Sequence, residues 1–374
     1  MSLVDTNPLT LAELTDCVRS AVAAPSVHNS QPWRFRIRDG GVDVFADRSR
    51  QLQVIDPSGR ELMISVGAAV FNLRVAVRNQ LRVPLLRLSP DPAEPDLVAR
   101  VTPGRSAPPD RAVAELAAAI PARHTNRLPF ARTVIPADVL DRLLAAAIVE
   151  GASLAVAGPV GRGAILNLAR TAVERFRTQG VYRAELSEWT RPDHGRRDGI
   201  PPTALGAWDA LEALPMRDFG LTLPWLHRPV ERFEPFPTIV VLATDGDTVD
   251  DWLRAGQALQ HVLLVATIDH LSATPISQPL EIPALRELLT DTRSGRWAQL
   301  ILRLGYGPPA TPTPRRPLAE VLFESVHGEP QHTHEKEGRM SCCPQRSADP
   351  TDAREPGRFI DLMINTVLRE THRR

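Results

Sequence analysis

The chain has 374 residues, 43% of them hydrophobic and 24% charged, which is enough apolar sequence for one large core or two smaller ones. Its 44 basic and 44 acidic residues cancel, which argues against a nucleic-acid-binding protein that relies on a basic surface. No apolar run approaches the length of a membrane helix, no signal peptide opens the chain, and three cysteines indicate no disulfide framework, so we expect a cytoplasmic protein.

The first predicted element is an amphipathic helix over about residues 9–24, which ends at Pro25. Alternating polar and apolar residues over 34–38 predict a half-buried strand. The loop between them, residues 25–33, reads Pro-Ser-Val-His-Asn-Ser-Gln-Pro-Trp. Its prolines stiffen a polar segment, which suits one edge of a flat polar ligand. An ordinary tight turn has the same composition, so the loop alone leaves both interpretations open.

The later elements alternate helices with short strands, which is typical of an α+β protein whose helices pack against antiparallel sheets. Further strands are predicted over 42–45, 153–157, 238–243 and 298–304. Further helices are predicted over 60–80, 113–120, 139–148, 164–189 and 250–271. The helix over 60–80 is apolar on most sides, so we expect it to be central. Residues 84–103 carry short apolar runs broken by prolines, and 104–110 are interpreted as a linker.

Three motifs together resemble those of the FMN-dependent nitroreductase family. The first is the Pro-Ser-x-x-Asn-x-Gln-Pro-Trp sequence within the 25–33 loop. The second is Arg-His-Thr-Asn-Arg-Leu-Pro-Phe at 123–130, which is similar to the family's opening Arg-rich motif. The third is Arg-Leu-Gly-Tyr-Gly at 303–307, followed by Thr-Pro-Arg-Arg-Pro-Leu at 313–318, which is similar to the closing strand and basic phosphate clamp.

The order of these motifs is inverted relative to an ordinary family member, and an internal repeat explains the inversion. Ile64 and Gly67 match Leu253 and Gly256 at one fixed offset, and the first helix matches the helix over 139–148 at another. The alternative explanation is that Ala-rich amphipathic helices resemble one another. Ordinary family members are homodimers with flavins at the subunit interface. The resemblance therefore implies a nitroreductase-like fold of two tandem halves, a pseudo-dimer within one chain that we expect to be monomeric.

The arrangement resembles the Acg-like nitroreductases of mycobacteria and related actinobacteria. The predicted organisation is a first half over 1–110, which carries the flavin loop, and a second half over 111–324, which carries the Arg-rich motif. Because each half has kept different parts, one complete FMN site is expected across the halves, and the second site lacks its phosphate ligands. Residues 325–374 look foreign to the family and are interpreted as a disordered tail.

Four residues of that tail could be read as metal ligands: His332, His334, Cys342 and Cys343. Adjacent cysteines rarely chelate one zinc ion, and no Cys-x-x-Cys pair exists in the chain. No metal site is therefore predicted.

The resemblance implies a set of FMN-binding residues, and no catalytic side chain is predicted because the flavin itself carries the hydride. The set is Ser26, His28, Asn29, Ser30, Gln31, Pro32, Arg123, Thr125, Arg127, Ile276, Ser277, Arg315 and Arg316. Arg123 and either Arg315 or Arg316 are expected to bind the phosphate dianion with forked guanidinium donors. Arg127 is expected near N1 and the C2 carbonyl of the flavin, where a cation stabilises the reduced ring.

The remaining roles are smaller. Thr125 and Ser26 are expected to bind ribityl hydroxyls, and Asn29 is expected to hydrogen-bond the edge of the ring. His28 and His124 are interpreted as structural residues in preference to proton donors.

Residues 191–237 are dense in proline and glycine and lack clear periodicity. Their aromatic residues weigh against plain disorder. The segment is interpreted either as a lid over the flavin, with Trp208 and Trp225 near the ring, or as a surface excursion packed on the core. The Acg-like resemblance favours the lid.

Two functions remain open. The first is a flavoenzyme in which NAD(P)H reduces FMN and a small oxidant, a quinone or a nitro compound, then takes the electrons. The second is a protein that stores or sequesters FMN under stress with little turnover. Ser277 stands where ordinary family members often have an acid beside the flavin, which together with the lid favours the second function more than usual.

Overall fold

A computed structural model describes residues 8–193, 195–291 and 294–323, and the tail predicted over 325–374, with its histidines and cysteines, lies outside the described residues. The helices are α1 (Leu11–Val22), α2 (Arg60–Asn79), α3 (Arg111–Ala119), α4 (Ala137–Val149), α5 (Pro159–Arg177), α6 (Gly180–Thr190), α7 (Val249–Ile268), α8 (Pro283–Glu287) and α9 (Leu318–Val321). The strands are β1 (Trp33–Arg38), β2 (Gly41–Ala46), β3 (Arg82–Leu88), β4 (Leu97–Ser106), β5 (Ser153–Val156), β6 (Trp208–Asp209), β7 (Val230–Glu231), β8 (Thr238–Thr244), β9 (Ser272–Pro275) and β10 (Trp297–Gly305).

Helix α1 forms where its sequence predicts it. The Thr10 hydroxyl oxygen accepts the Glu13 N–H at 3.2 Å, and the Glu13 carboxylate accepts the Thr10 N–H at 2.7 Å. This capping box satisfies donors that would otherwise lack partners at the start of the helix. The apolar face, including Leu14 and Val18, is buried against the first sheet and α2.

Two four-stranded antiparallel sheets share one topology. The strand order is β1-β2-β4-β3 in the first and β5-β8-β10-β9 in the second. Along the chain of each half, a long helix follows the second strand and precedes the third. This helix is α2 in the first half and α7 in the second. The equivalence of the four strands of each sheet, and of α2 with α7, confirms the internal repeat and the α+β fold.

The central helices α2 and α7 cross at the two glycines of the repeat. A Cβ built on Gly67 would lie 3.0 Å from the Gly256 Cα and closer still to the Leu253 carbonyl oxygen. A Cβ built on Gly256 would lie 2.8 Å from the Gly67 Cα and closer still to the Ile64 carbonyl oxygen. The contacts are reciprocal, as they are across a two-fold axis, so the halves pack as a pseudo-dimer within one chain.

The halves differ most in how their first two strands are joined. Asp39 and Gly40, both with positive φ, make a tight hairpin between β1 and β2. Residues 157–237 occupy the equivalent place between β5 and β8 and contain α5, α6 and the parallel pair β6–β7. The insertion therefore belongs to one half only.

Two predicted elements need correction. The helix predicted over 164–189 is two helices, because the backbone of Gln179 is extended and Gly180 begins α6. Residues 84–103, where prolines interrupt the apolar runs, form most of β3 and β4, and β4 extends into the predicted linker. Pro84 and Pro103 face each other beside a register shift, and β3 is an edge strand, where a missing N–H is tolerated.

The end of the second half returns to the first. Val321 is fully buried in the core of α1 and the first sheet. The Phe323 N–H donates to the Phe35 carbonyl oxygen at 3.0 Å, and Leu322 forms a bridge with Phe35. The predicted boundary at residue 110 thus separates two sheets, while residues 317–323 pack on the other side of it.

Across the described ranges, no helix is both long enough and apolar enough to cross a membrane.

Candidate functional site

A cavity of about 110 Å³ lies between the two halves. Its lining includes α2, α7 and the segment over 216–219. Five of the predicted flavin-binding residues line it: Ser26, His28, Thr125, Arg127 and Ser277. The others lie outside its lining: Asn29, Ser30, Gln31, Pro32, Arg123, Ile276, Arg315 and Arg316. Since Ser26 and Arg127 come from the motifs of different halves, the structure brings those two motifs together at one site.

The loop after α1 has an unusual backbone. Three non-glycine residues have φ in the left-handed region, at 46° for His28, 54° for Asn29 and 51° for Gln31. Such residues cost roughly 1–3 kcal/mol each and concentrate at ligand sites. The Ser26 hydroxyl oxygen accepts the Gln31 N–H at 2.9 Å, and the Ser65 hydroxyl oxygen of α2 accepts the Val27 N–H at 3.1 Å. Side chains therefore hold a conformation that an ordinary turn does not need.

Two amide side chains tie this loop to distant segments. The Asn29 Nδ2 donates to the Gly199 carbonyl oxygen at 2.9 Å and to the Pro314 carbonyl oxygen at 3.1 Å. The Gln31 Nε2 donates to the Arg197 carbonyl oxygen at 2.8 Å. Both amides are thus occupied within the protein. Asn29 does not line the cavity, and its contact with a ring edge stays a prediction.

Arg123 and Arg315 form a buried pair of cations. Both guanidiniums donate to the Ala23 carbonyl oxygen, at 3.4 Å and 3.2 Å, and Arg315 also donates to the Asn29 Oδ1 at 3.1 Å. Burial and the neighbouring Arg315 lower the pKa of Arg123 to about 9, and burial lowers the pKa of Arg315 to about 10.

Neither guanidinium of this pair has a carboxylate partner within the described part of the chain. The Nε atoms of Arg123 and Arg315 are buried without a hydrogen-bond acceptor. Buried cations are ordinarily paired. The pair is therefore incomplete without an anion, and its forked donors match a phosphate.

Arg316 is directed elsewhere. Its guanidinium lies 3.3 Å from a Glu320 carboxylate oxygen and 3.8 Å from an Asp47 carboxylate oxygen, and it donates to the Gln31 carbonyl oxygen at 3.3 Å. Of the two adjacent arginines that the sequence offers for a phosphate, the geometry therefore favours Arg315.

A second buried cation faces the cavity. Arg127 donates to the Ala204 carbonyl oxygen at 2.9 Å, and its guanidinium lies 4.8 Å from the centroid of the Phe219 ring. Burial and the nearby Arg217 lower the pKa of Arg127 to about 10. Thr125 lies beside it, in a bridge with Ala273. This position can stabilise negative charge that develops in the cavity.

His28 is a neutral imidazole at the cavity wall. Its two ring nitrogens are buried and have no hydrogen-bond partner, and its ring meets Phe219 edge-on at 5.1 Å. Burial, Arg217 and Arg127 hold the pKa of His28 well below its usual value. A buried donor and acceptor without partners indicate a polar ligand at this wall.

Ser277 reaches the cavity, whereas Ile276 is fully buried behind it and donates its N–H to the Ile301 carbonyl oxygen at 2.9 Å. The Ser277 hydroxyl donates to the Glu281 carboxylate at 2.7 Å. The same carboxylate pairs with Arg217, which comes from the 191–237 segment. An acidic group therefore stands one helical turn behind the serine that replaces the expected acid.

The 191–237 segment covers the cavity with Met216, Arg217 and Phe219. Of the two tryptophans expected near the ring, Trp225 is 60% exposed and outside the cavity lining. Trp208 lines an adjoining pocket that shares Arg127, Met216 and Arg217 with the cavity. Sequence reasoning missed Arg217 because a segment without periodicity carries no signal for which of its residues point inward.

Glu61 is a further lining residue that sequence reasoning missed. It is buried near the start of α2, and its carboxylate lies 3.0 Å from the Arg60 guanidinium. The signal that could have found it is the acidic residue that directly precedes a long apolar run, residues 62–71, in a helix expected to be central.

No protein-family model matches the chain. The chain is 33% identical over 310 residues to "Putative NAD(P)H nitroreductase Rv3131" of Mycobacterium tuberculosis, across 81% of this chain and 88% of that protein. It is 31% identical over 330 residues to "Putative NAD(P)H nitroreductase acg" of the same organism, across 82% of this chain and 96% of that protein.

Solved structures with a detectable likeness include a nitroreductase-like family protein from Bacillus cereus, at 18% identity, with 57% of this chain and 96% of that chain covered and a TM-score of 0.35. A nitroreductase with bound FMN from Desulfitobacterium hafniense is 14% identical, with 55% of this chain and 95% of that chain covered and a TM-score of 0.35.

Proposed function

Because the chain belongs to the NAD(P)H nitroreductase family of these mycobacterial relatives, we propose that it is an FMN-binding flavoprotein that carries electrons from NAD(P)H to a small oxidant. The observation that carries the proposal is the buried pair Arg123 and Arg315, whose guanidiniums have no carboxylate partner in the described ranges. A phosphate dianion held by this pair satisfies both the charges and the unused donors.

Different residues of the site would bind different parts of FMN. Arg123 and Arg315 hold the phosphate, and Thr125 and Ser26 offer hydroxyls to the ribityl chain. Arg127, which lines the cavity, would offer a cation to the part of the ring that becomes negative on reduction. FMN, when bound, supplies two-electron chemistry that no side chain can supply. The buried cation at Arg127 stabilises the reduced state and raises its potential.

A second candidate function is storage of FMN. The observation that favours it is the partial cover that Met216, Arg217 and Phe219 of the 191–237 segment form over the cavity, held by a buried ion pair between Arg217 and Glu281. A closed cover excludes bulky oxidants and slows exchange of the bound ligand.

Rapid mixing separates the two functions. The FMN-loaded protein is mixed without oxygen with NADPH or NADH, and the flavin absorbance is followed. Loss of the oxidised flavin spectrum within seconds supports the reductase. A spectrum that persists for many minutes supports storage, and a chain that retains no FMN refutes both.

Stoichiometry and assembly provide a further check. The pseudo-dimer has one arginine pair of this kind among its described residues, so we expect one FMN per chain and a monomer that keeps it on dilution. Two flavins per chain, or an obligate dimer that releases flavin when diluted, would contradict the single internal site.

A further inference from the structure

The cavity wall contains a buried imidazole whose hydrogen-bonding groups are unused. His28 lines the cavity and is 6% exposed, and neither its Nδ1 nor its Nε2 has a hydrogen-bond partner among the residues described. An imidazole carries at least one N–H in its neutral and in its charged form, so His28 offers a donor to the cavity. A buried donor without an acceptor is unfavourable, and a bound ligand with an acceptor atom removes that cost.

The backbone that presents this imidazole is strained and is held from both sides. His28 has a φ of 46°, and the next residue, Asn29, has a φ of 54°. On one side the Ser65 hydroxyl oxygen accepts the Val27 N–H at 3.1 Å. On the other side the Asn29 Nδ2 donates to the Gly199 carbonyl oxygen at 2.9 Å. Strain that the surrounding structure enforces in this way is typical of ligand sites, so the position of the imidazole is fixed before a ligand arrives.

The Phe219 ring places the imidazole beside the cover of the cavity. The His28 ring meets it edge-on, with the ring centroids 5.1 Å apart. The guanidiniums of Arg127 and Arg217 lie 4.8 Å and 5.9 Å from the same Phe219 centroid. Phe219 and Arg217 both belong to the 191–237 segment. One imidazole donor and two cations therefore surround a ring of the segment that covers the site.

The charges of this wall favour an oxygen atom with partial negative charge beside the imidazole. Arg217 is paired with Glu281, whereas Arg127 has no carboxylate partner in the described ranges. Glu61, the acidic residue of the cavity lining, lies 3.0 Å from the Arg60 guanidinium. None of these groups bonds to the imidazole. The acceptor that the imidazole lacks has to come from a ligand.

We propose that His28 donates a hydrogen bond to the carbonyl or nitro oxygen of the oxidant and thereby determines which oxidants the cavity accepts. The proposal rests on the reductase function proposed above. It moves His28 from the residues expected to bind FMN to those that bind the oxidant, because the imidazole packs against the cover and the phosphate is assigned to Arg123 and Arg315.

The hydrogen bond has a role during the reaction as well as in binding. A quinone that accepts two electrons and one proton as a hydride equivalent becomes a hydroquinone monoanion, with the negative charge on one oxygen. NAD(P)H supplies the hydride, and solvent supplies the second proton that completes the hydroquinone. The N–H bond of His28 stays intact throughout. A donor that is fixed before the reaction stabilises the oxygen as its charge develops.

The experiment compares an oxidant that has acceptor oxygens with one that has none. FMN-loaded full-length protein is titrated to full reduction with dithionite, which bypasses NAD(P)H. It is then mixed without oxygen with benzoquinone or with ferrocenium, a cation whose ligands have no hydrogen-bond acceptor. We expect His28→Phe to slow reoxidation by benzoquinone about 100-fold, the loss that removal of one donor to a developing oxyanion produces, and to leave the ferrocenium rate unchanged.

A second variant tests whether the N–H or the ring matters. His28→Gln lacks the ring but has an N–H, so it should recover most of the benzoquinone rate. A Gln variant as slow as His28→Phe would overturn the assignment. Equal slowing with both oxidants in His28→Phe, or no slowing with either, would overturn it too.

A matched control is His261→Phe. The Nδ1 of His261 also lacks a hydrogen-bond partner within the described chain, and its ring stacks on Phe71 with centroids 4.8 Å apart. His261 lies in α7 outside the cavity lining. We expect this variant to reoxidise like the wild type with either oxidant. Selective slowing with benzoquinone in His261→Phe would show that the effect is not specific to the cavity, which would contradict the proposal.

Binding measurements separate a failure of this assignment from a failure of the proposed function. By fluorescence titration, His28→Gln should bind FMN and riboflavin with the affinity of the wild type. Weaker binding of both ligands would make His28 a ligand of the flavin ring and would refute the proposal. A wild-type chain that retains no FMN would place the failure in the proposed function.

One measurement on the wild type does not depend on the folding of His28→Phe. In nuclear magnetic resonance spectra of the oxidised FMN-loaded protein, addition of benzoquinone should shift the imidazole nitrogen resonance that is missing from His28→Gln. The same resonance should keep its position when ferrocenium is added. If saturating benzoquinone leaves it in place, the oxidant does not contact His28 and the proposal is wrong.

Discussion

The loop after α1 and the loop after α4 occupy equivalent places in the two halves, yet their charged neighbours differ. Near the first, Arg123 and Arg315 are buried without a carboxylate partner among the residues described. In the second, the Glu150 carboxylate bonds Arg74 at 2.5 Å and lies 3.5 Å from the His261 Nδ1. Near the loop after α4, the protein's own Glu150 compensates the cation. Near the loop after α1, the described residues supply no anion to the two arginines.

The comparison supports the proposal that only one of the two equivalent ends binds an anionic ligand. The sheets and central helices are equivalent in both halves, so the fold does not decide which end binds. Charge compensation does, because a buried cation with its own carboxylate is satisfied by folding alone. A buried cation without one gains most from an anionic ligand.

The largest expected effect is on the affinity for FMN. Replacement of Arg123 or Arg315 by Met removes a charge-assisted hydrogen bond, which is worth roughly 1.5–3 kcal/mol, or about ten- to 100-fold in the dissociation constant. Riboflavin lacks the phosphate, so its affinity should change little. Fluorescence titration measures both ligands, with Arg74→Met at the other end as the control. Equal weakening of FMN binding and riboflavin binding would show that the arginine pair does not contact the phosphate.

The second effect tests whether the halves are equivalent at their crossing. Gly67→Ala and Gly256→Ala should destabilise the protein by similar amounts, about 1–3 kcal/mol each, because each new Cβ overlaps the backbone of the other central helix. Gly163→Ala is the matched control, since its Cβ meets nothing within 4 Å in α5. Urea unfolding measures all three variants. A large loss of stability in only one of the two variants, Gly67→Ala or Gly256→Ala, would contradict the two-fold equivalence of the halves.

The third effect is on the protein without its ligand. Arg123→Met should stabilise that form by about 1 kcal/mol, because an uncompensated buried charge disappears. Arg74→Met should destabilise it, since Glu150 then stays buried without its cation, although the 26% exposure of Arg74 moderates the loss. Thermal unfolding of both variants gives the two signs. A loss of stability in Arg123→Met would mean that its charge is already compensated.

The smallest effect is a difference in pH dependence between two buried acids. Burial and Glu281 raise the pKa of Glu61 to about 8, so its contribution to stability is complete below pH 4.5 and is lost as the pH rises through about 8. Burial opposes ionisation of Glu150, but His261 and Arg74 hold its pKa below the usual value. Its contribution is therefore lost as the pH falls below 4.5.

Glu61→Gln should flatten the alkaline side of the profile of melting temperature against pH, and Glu150→Gln should flatten the acidic side. We expect differences of about 1–2 °C in melting temperature, the shift that about 1 kcal/mol produces in a chain of this size. Identical profiles for the two variants would show that the acids at the two ends are not distinguished by their surroundings.

Most of the fold was predictable from local patterns. The helix over 60–80 is apolar on most sides, and it is the buried α2. The repeat that relates Gly67 to Gly256 is the crossing of the central helices. The break before Gly180 was missed, although a glycine within a helical pattern is a local signal for one.

Site residues that lie within one sequence motif were predictable, whereas residues that the fold brings together from distant segments were not. The loop and the Arg-rich motif identified Ser26, Thr125 and Arg127, which line the cavity. Arg315 and Arg316 are neighbours in sequence, and only their opposite directions in the fold distinguish them. The pKa of Glu61 is raised by burial and by the charge of Glu281, which lies more than 200 residues away along the chain. No local pattern reports such a pairing.

The return of the chain end to the first half has a consequence for biosynthesis. Arg315 donates to the Ala23 carbonyl oxygen at 3.2 Å and to the Asn29 side chain, both contributed by the amino-terminal loop. A nascent chain on the ribosome can pair β1 with β2 early, but it has no complete anion site until residue 315 has emerged. Cofactor capture therefore follows translation of nearly the whole pseudo-dimer, and a truncated product would bind the cofactor poorly even when both sheets have formed.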